Sequence, residues 1–450
     1  MRLTAAAAIA VVCALLAPDV AAKVKAKRKP ARAPAKVPAA KPPPTVPYAS
    51  PVAPTGGRFA LANGLEVRWA RVPGPRVTAL VAFPAGGRFA PTGAPGLPAL
   101  VGALLEQGSP RVRPGDHARF VARLGGRVEH AVGGDALTIG ATVPPAALAA
   151  LGPLLAELAS GPVARPEALG PALDALTPDV HDAPTAAGEL ARDLVLARGP
   201  AGEVGIDPIA GAVAHARAHL VARGAVIAIA GDVDEAAVRT FAAAFEGVPA
   251  GEPPTPAVRG ALPGASARRR NLPANGAGGI AMAWRTPGGR DGAAVSVAVL
   301  AEVLGRDGGR LVEALTRRTA IAADVRVAVT TEADVGALVV IATPRAGVTL
   351  PALERAVRDE VLRLTRDPPP PYELARAARA WSVGAGRALS TPEEAAAWLA
   401  ALATTRGDLE PAAALAAPGT VTQGDVLAAG RRVFLDGDPV VVVVPAGAGP

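Results

Sequence analysis

The chain has 450 residues, half of them hydrophobic, with 3% aromatics and a single cysteine. That length is enough for two or three domains with a large core. With so few aromatics, alanine must do much of the filling, which favours helix-rich, closely packed layers. The formal charge of +8 is local, because residues 1–50 hold nine basic groups and one acid, leaving 38 basic and 38 acidic residues beyond them. A body so balanced has no basic footprint for nucleic acid.

Residues 1–22 read as a secretory signal. Met1-Arg2 is a short basic start, Leu3 to Ala17 an apolar run too short to span a bilayer, and Val20-Ala21-Ala22 a small-residue cleavage site. The Lys and Arg residues just after that site oppose translocation. Export is still the better reading, and it implies a periplasmic or secreted protein. Cys13 lies inside the signal, so the mature chain would have no disulfide. Residues 23–55 form a Lys/Pro/Ala linker whose prolines favour extended polyproline II. It reads as a solvated spacer, with a tether to an anionic envelope surface through the 23–41 basic tail as the functional alternative.

Two similar halves follow, over 56–250 and 271–450, joined by a proline-bearing linker at 251–270 that ends in Arg268-Arg269-Arg270. Each half opens with a turn and strand before an alanine-rich helix, Leu97 to Glu106 and Ala293 to Leu304. Each closes with a helix running into an apolar strand: Ala210 to Val221 into Ala225 to Ala230, and Val421 to Phe434 into Pro439 to Val444. A repeated order of elements points to duplication. Without strict βαβ alternation, the fold class is α+β: two pseudo-symmetric domains, each a mixed sheet with helices on one face.

Six segments, in order across roughly 56–445, carry a resemblance. They are Leu61-Ala62-Asn63-Gly64-Leu65-Glu66-Val67; Ala85-Gly86-Gly87-Arg88; Gly96 to Ser109; Leu124-Gly125-Gly126-Arg127 with Asp135 and Ala141-Thr142-Val143-Pro144; Leu196 to Gly202; and Ala225 to Asp234. Together the chain resembles the pitrilysin/insulinase family of zinc peptidases, which carries H-x-x-E-H on the helix matching 97–106. In that register the His positions fall on Ala99 and Ala103, and the Glu position on Gly102. Methyl groups and a hydrogen neither ligate zinc nor activate water. No shift of register restores the motif, since neither His117 nor His130 has an i+4 His partner.

The family's third ligand, a Glu further along, falls near Asp179, which beside Pro178 reads as a turn or cap residue. His215 and His219 have the i,i+4 spacing of metal ligands, but Ala216-Arg217-Ala218 supplies no Glu between them, leaving a weak candidate. Asp307 to Leu315 resembles the family's glycine-rich turn and helix. The Arg and Tyr that contact substrate beyond it fall on Thr316 and Ala323. Arg317 is one residue away from the Arg position, which turns it about 100° around a helix. Gly308-Gly309 lacks the G-x-x-x-x-G-K-[ST] of a phosphate loop, and no G-x-S-x-G elbow is present.

The resemblance therefore implies the two-domain fold of the mitochondrial processing peptidases with a degenerate metal site. It implies no zinc, no intrinsic peptidase activity and a role in holding an extended peptide opposite a catalytic homologue with an intact H-x-x-E-H. The alternative is a stand-alone peptide-binding or scaffold protein of the envelope.

Overall fold

The computed structural model describes residues 49–162, 165–176, 182–199, 202–257, 262, 264, 267–274, 276 and 278–447. The signal, residues 23–48 of the 23–55 linker, Asp179 and part of the 251–270 join lie outside the described residues.

Apolar runs punctuated by glycine turns fold into two sheets among these residues. The first contains β1 (Gly56–Ala60), β2 (Glu66–Arg71), β3 (Val77–Phe83), β4 (Arg127–Val132), β5 (Leu137–Val143) and β6 (Val226–Gly231), in the order β1-β2-β6-β3-β5-β4. The second contains β7 (Arg269–Asn271), β8 (Gly279–Pro287), β9 (Ala322–Thr331), β10 (Val335–Pro344) and β11 (Val440–Val444), in the order β7-β11-β8-β10-β9. Omitting β1, the two orders superimpose strand for strand. Both begin with a parallel pair, β2 with β6 and β7 with β11, and continue antiparallel to the edge. A shared order with shared strand directions is the structural form of the duplication.

The helices start where the sequence supplies caps. Asp182, Asp207, Thr391 and Thr422 each accept a backbone N–H at the start of Ala183–Val195, Pro208–His219, Pro392–Arg406 and Gln423–Phe434. Such caps contribute about 1 kcal/mol each. The Asn63-Gly64 turn has its own logic. Gly64 has φ +88°, and the Asn63 amide donates to the carbonyls of Phe245 (2.9 Å) and Val248 (3.0 Å), tying the β1–β2 turn to the end of the first half.

Each sheet buries large residues on one face under its own helices and small ones on the other. On β8, Ile280, Met282 and Trp284 face the helical layer, while Ala281 and Ala283 face away; on β11, Val441 and Val443 oppose Val440, Val442 and Val444. A single helix covers each small-residue face, and it comes from the other half of the chain. Ala183–Val195 lays Ala187, Ala191 and Val195 on β8, β10 and β11, where a Cβ at Gly188 would run into Ile341. Pro392–Arg406 lays Ala395, Ala396, Leu399 and Ala400 on β2, β3 and β6. The α+β architecture with helices on one face thus gains one exchanged helix on each opposite face. Small side chains let these helices approach closely, which explains the alanine content.

Candidate functional site

Helix Leu97–Glu106 stands where the resemblance places the metal helix, one face packed into the first core through Leu97, Leu100, Val101 and Leu104. Ala99 is half-buried, and Gly102 and Ala103 are buried. A Cβ at Gly102 would lie 2.7 Å from Cγ2 of Val132 on β4. The base position is therefore filled by an aliphatic neighbour. These residues offer no donor atom, so the site does not fit the family's zinc. One turn on, Glu106 accepts a 2.7 Å hydrogen bond from His130 Nε2, which holds its carboxyl below the usual range. His117 is buried nearby, and burial pushes its imidazole down.

The other sequence candidates do not converge on this helix. His215 and His219 stack face to face with centroids 3.9 Å apart, and His219 packs edge-on against Phe89 at 5.7 Å. His219 Nδ1 is 2.9 Å from the His215 carbonyl. Burial, with His219 close by, pushes His215 down to about 4. Stacked rings do not direct two nitrogens at one ion, and no other His, Cys or carboxylate completes a three-ligand group with them among the described residues.

Thr316 lies in a π-type turn, Glu313–Arg318, donating its hydroxyl to Val312 O at 2.7 Å. Ala323 is exposed at the start of β9. Arg317 is held by Glu313 and Asp307, both at 2.9 Å, and extends from the surface.

What the halves do build together is a chamber of about 780 Å³. Its walls are the ends of β4 and β9, the sheet face around Leu80 and Ala82, and the helices Ala294–Gly305, Pro371–Ala388 and Pro392–Arg406. Among the described residues β4 and β9 are the outermost strands of their sheets, and both contribute residues to the chamber wall. Trp381 and Trp398, two of the chain's four tryptophans, line it as well.

A buried ionic clasp closes one side. Arg88 pairs with Asp135 at 2.7 Å, with side chains 6% and 9% exposed. Asp135 also accepts from the Ala333 N–H (3.0 Å) and the Thr405 hydroxyl (3.2 Å), and Arg88 lies 3.8 Å from Asp334. Arg198 pairs with buried Glu332, whose carboxylate occupies the space a Cβ at Gly134 would need. Carboxylates of Asp135, Glu332 and Asp334 converge, and two guanidiniums already lie among them. Arg88 and Asp135 sit in the family-like segments, but their pairing spans 47 residues. The chamber-lining arginines and tryptophans carried no signal beyond residue type.

Two duplicated halves, helices exchanged between them and a ligand-free helix in the metal position define the class: a peptidase-like two-domain protein. The model of the peptidase M16 inactive domain matches residues 214–380. Over that stretch, somewhat more than a third of the chain, the sequence matches the family of pitrilysin and insulinase. Solved structures agree in fold. A protease from Helicobacter pylori superimposes with TM-score 0.71 at 15% identity, covering 87% of this chain and 99% of its own. A peptidase M16 inactive domain from Pseudomonas fluorescens gives 0.71 at 18%, covering 88% and 99%. The periplasmic protease PqqL from Escherichia coli gives 0.68 at 13%, with 89% of this chain matching 48% of that one. No curated protein matches the sequence. No helix among the described residues is long and apolar enough to cross a membrane.

Proposed function

We propose that this chain is a non-catalytic subunit that shapes a peptide-holding chamber for a zinc-bearing homologue. The observation that carries this reading is the helix Leu97–Glu106. It is kept in place and packed, yet it presents Ala99, Gly102 and Ala103, with Val132 pressed on Gly102. A chain under demand for chemistry needs donors there; a chain under demand for shape needs only the helix. The reading takes no zinc and no intrinsic peptidase step. Among the structures of the same fold is an inactive domain, and PqqL, a periplasmic protease, has about twice this chain's matched length, as two such units joined would. The signal-like N-terminus and the fold shared with a periplasmic protease support a periplasmic or secreted location.

The outermost strands β4 and β9 support an extended peptide as the guest, because a strand at a sheet edge offers a row of backbone donors and acceptors. The same chamber favours the second reading, a peptide-binding protein acting without a peptidase partner. Elemental analysis and a peptide-cleavage assay on the purified mature chain test the shared premise. The expected result is less than stoichiometric zinc and no cleavage with zinc added. One tightly held zinc per chain with chelator-sensitive cleavage would overturn it.

A further inference from the structure

We propose that the chamber holds a carboxylate of its peptide guest, clamped by Arg306 and Arg406; this rests on reading the chamber as a peptide site. Arg306 follows the last turn of Ala294–Gly305 and Arg406 ends the exchanged helix Pro392–Arg406, and both line the same chamber of about 780 Å³. The Arg306 Nη2 is buried without a hydrogen-bond partner. No ion pair or side-chain hydrogen bond holds the Arg406 guanidinium among the described residues. Burial pushes its pKa down, and no carboxylate offsets that.

The acids of the chamber are already engaged. Asp135 is held by Arg88, Glu332 by Arg198, and Glu394 by the hydroxyl of Thr391; Glu189 and Glu302 have partners too. Arg306 and Arg406 on this wall thus have no ionic partner among the described residues, whereas Arg198 has one. A desolvated cation is costly without one.

The position of the two arginines selects the guest. Each stands at a helix C-terminus, where the dipole contributes about half a negative charge. Two guanidiniums against two such ends leave a field suited to a monoanion rather than a phosphate dianion. Planar guanidinium forks match a carboxylate in two-point hydrogen bonds. Trp381 and Trp398 supply apolar wall for the side chains flanking the acid. The carboxylate has two sources in a peptide: the free C-terminus, or an Asp or Glu side chain.

The test uses the full mature chain and one ten-residue neutral sequence in three forms: free C-terminal acid, C-terminal amide, and amide with one internal Glu. Binding is read by calorimetry and by the fluorescence of the chamber tryptophans. At least one acid-bearing form should bind about tenfold or more tighter than the plain amide, the size of a charge-assisted hydrogen bond. Which form wins identifies the source. Arg306→Gln and Arg406→Gln should each reduce that preference to about threefold or less, and the Lys variants should retain part of it. Circular dichroism checks that each variant is folded, and the wild-type comparison decides the matter even if a variant is not. Equal binding of all three forms would overturn the carboxylate clamp while leaving the peptide chamber intact. No binding of any form would overturn both.

Discussion

Helix Leu97–Glu106 and the Arg88–Asp135 clasp both lie in segments that resemble the peptidase family, and they have fared in opposite ways. On the helix, every position that would touch metal or water carries a methyl group or a hydrogen. At the clasp, a buried ion pair spans two strands' connections and takes in a backbone N–H from the other half and a hydroxyl from an exchanged helix, with only the Arg88 Nε left unbonded. One side chain after another can be lost from a reaction at little cost to folding. A buried charge cannot lose its partner so freely, because the partner left behind is desolvated and unpaired. The buried charges at the join of the halves are therefore the side chains this fold can least do without.

The largest effect should come from opening the clasp. Asp135→Ala strands Arg88 and removes the acceptor of Ala333 N–H and Thr405. It should cost about 3–5 kcal/mol in denaturant unfolding. Replacing both partners, as Arg88→Met with Asp135→Leu, should recover much of that loss; a double variant no more stable than Asp135→Ala would show that the pair is not what matters.

Acid is the next lever. His215 is 5% exposed and titrates near 4 against an ordinary value of 6.5. The unfolded chain takes up the proton first. The stability is therefore fully present above about pH 6.5 and is lost as pH falls toward 4, by up to about 3 kcal/mol. His215→Phe should flatten that part of the pH–stability curve. A curve of unchanged slope would count against the assignment.

Restoring the base position should be smaller but costly. Gly102→Glu forces Val132 aside, at about 1–3 kcal/mol, and Val132→Ala in the same chain should relieve part of it. If Gly102→Glu is neutral in thermal melts, the wall at that helix is looser than the contact with Val132 implies. The smallest effect belongs to the exposed pair Glu235–Arg239, 2.6 Å apart on one helix face. Glu235→Ala should cost no more than about 0.5 kcal/mol, which sets the scale against which the clasp is judged.

Much of the fold was legible because it is written locally. Leu97 to Glu106 is the helix the pattern predicts, and the closing helix-strand pairs of both halves lie within a residue or two of expectation. The exchanged helices were not legible. Alanine faces such as Ala187-Ala191 and Ala395-Ala396 are apolar on too many sides to say which sheet they will cover. Nor was the clasp, since Glu332 and Asp334 look like ordinary hairpin acids until the fold brings Arg198 and Asp135 to them. The emptied metal positions could be read from sequence because helical spacing fixes them. Arg306 and Arg406 lie a hundred residues apart in sequence, and only the fold puts them on the wall of one chamber.

The most direct test is to titrate this chain into a catalytic homologue that bears H-x-x-E-H and follow peptide cleavage, with co-elution measured in parallel. The proposed role predicts a one-to-one complex burying more than about 1,000 Å² and a cleavage rate that rises to a plateau at equal amounts. An unchanged rate with no co-elution would contradict it.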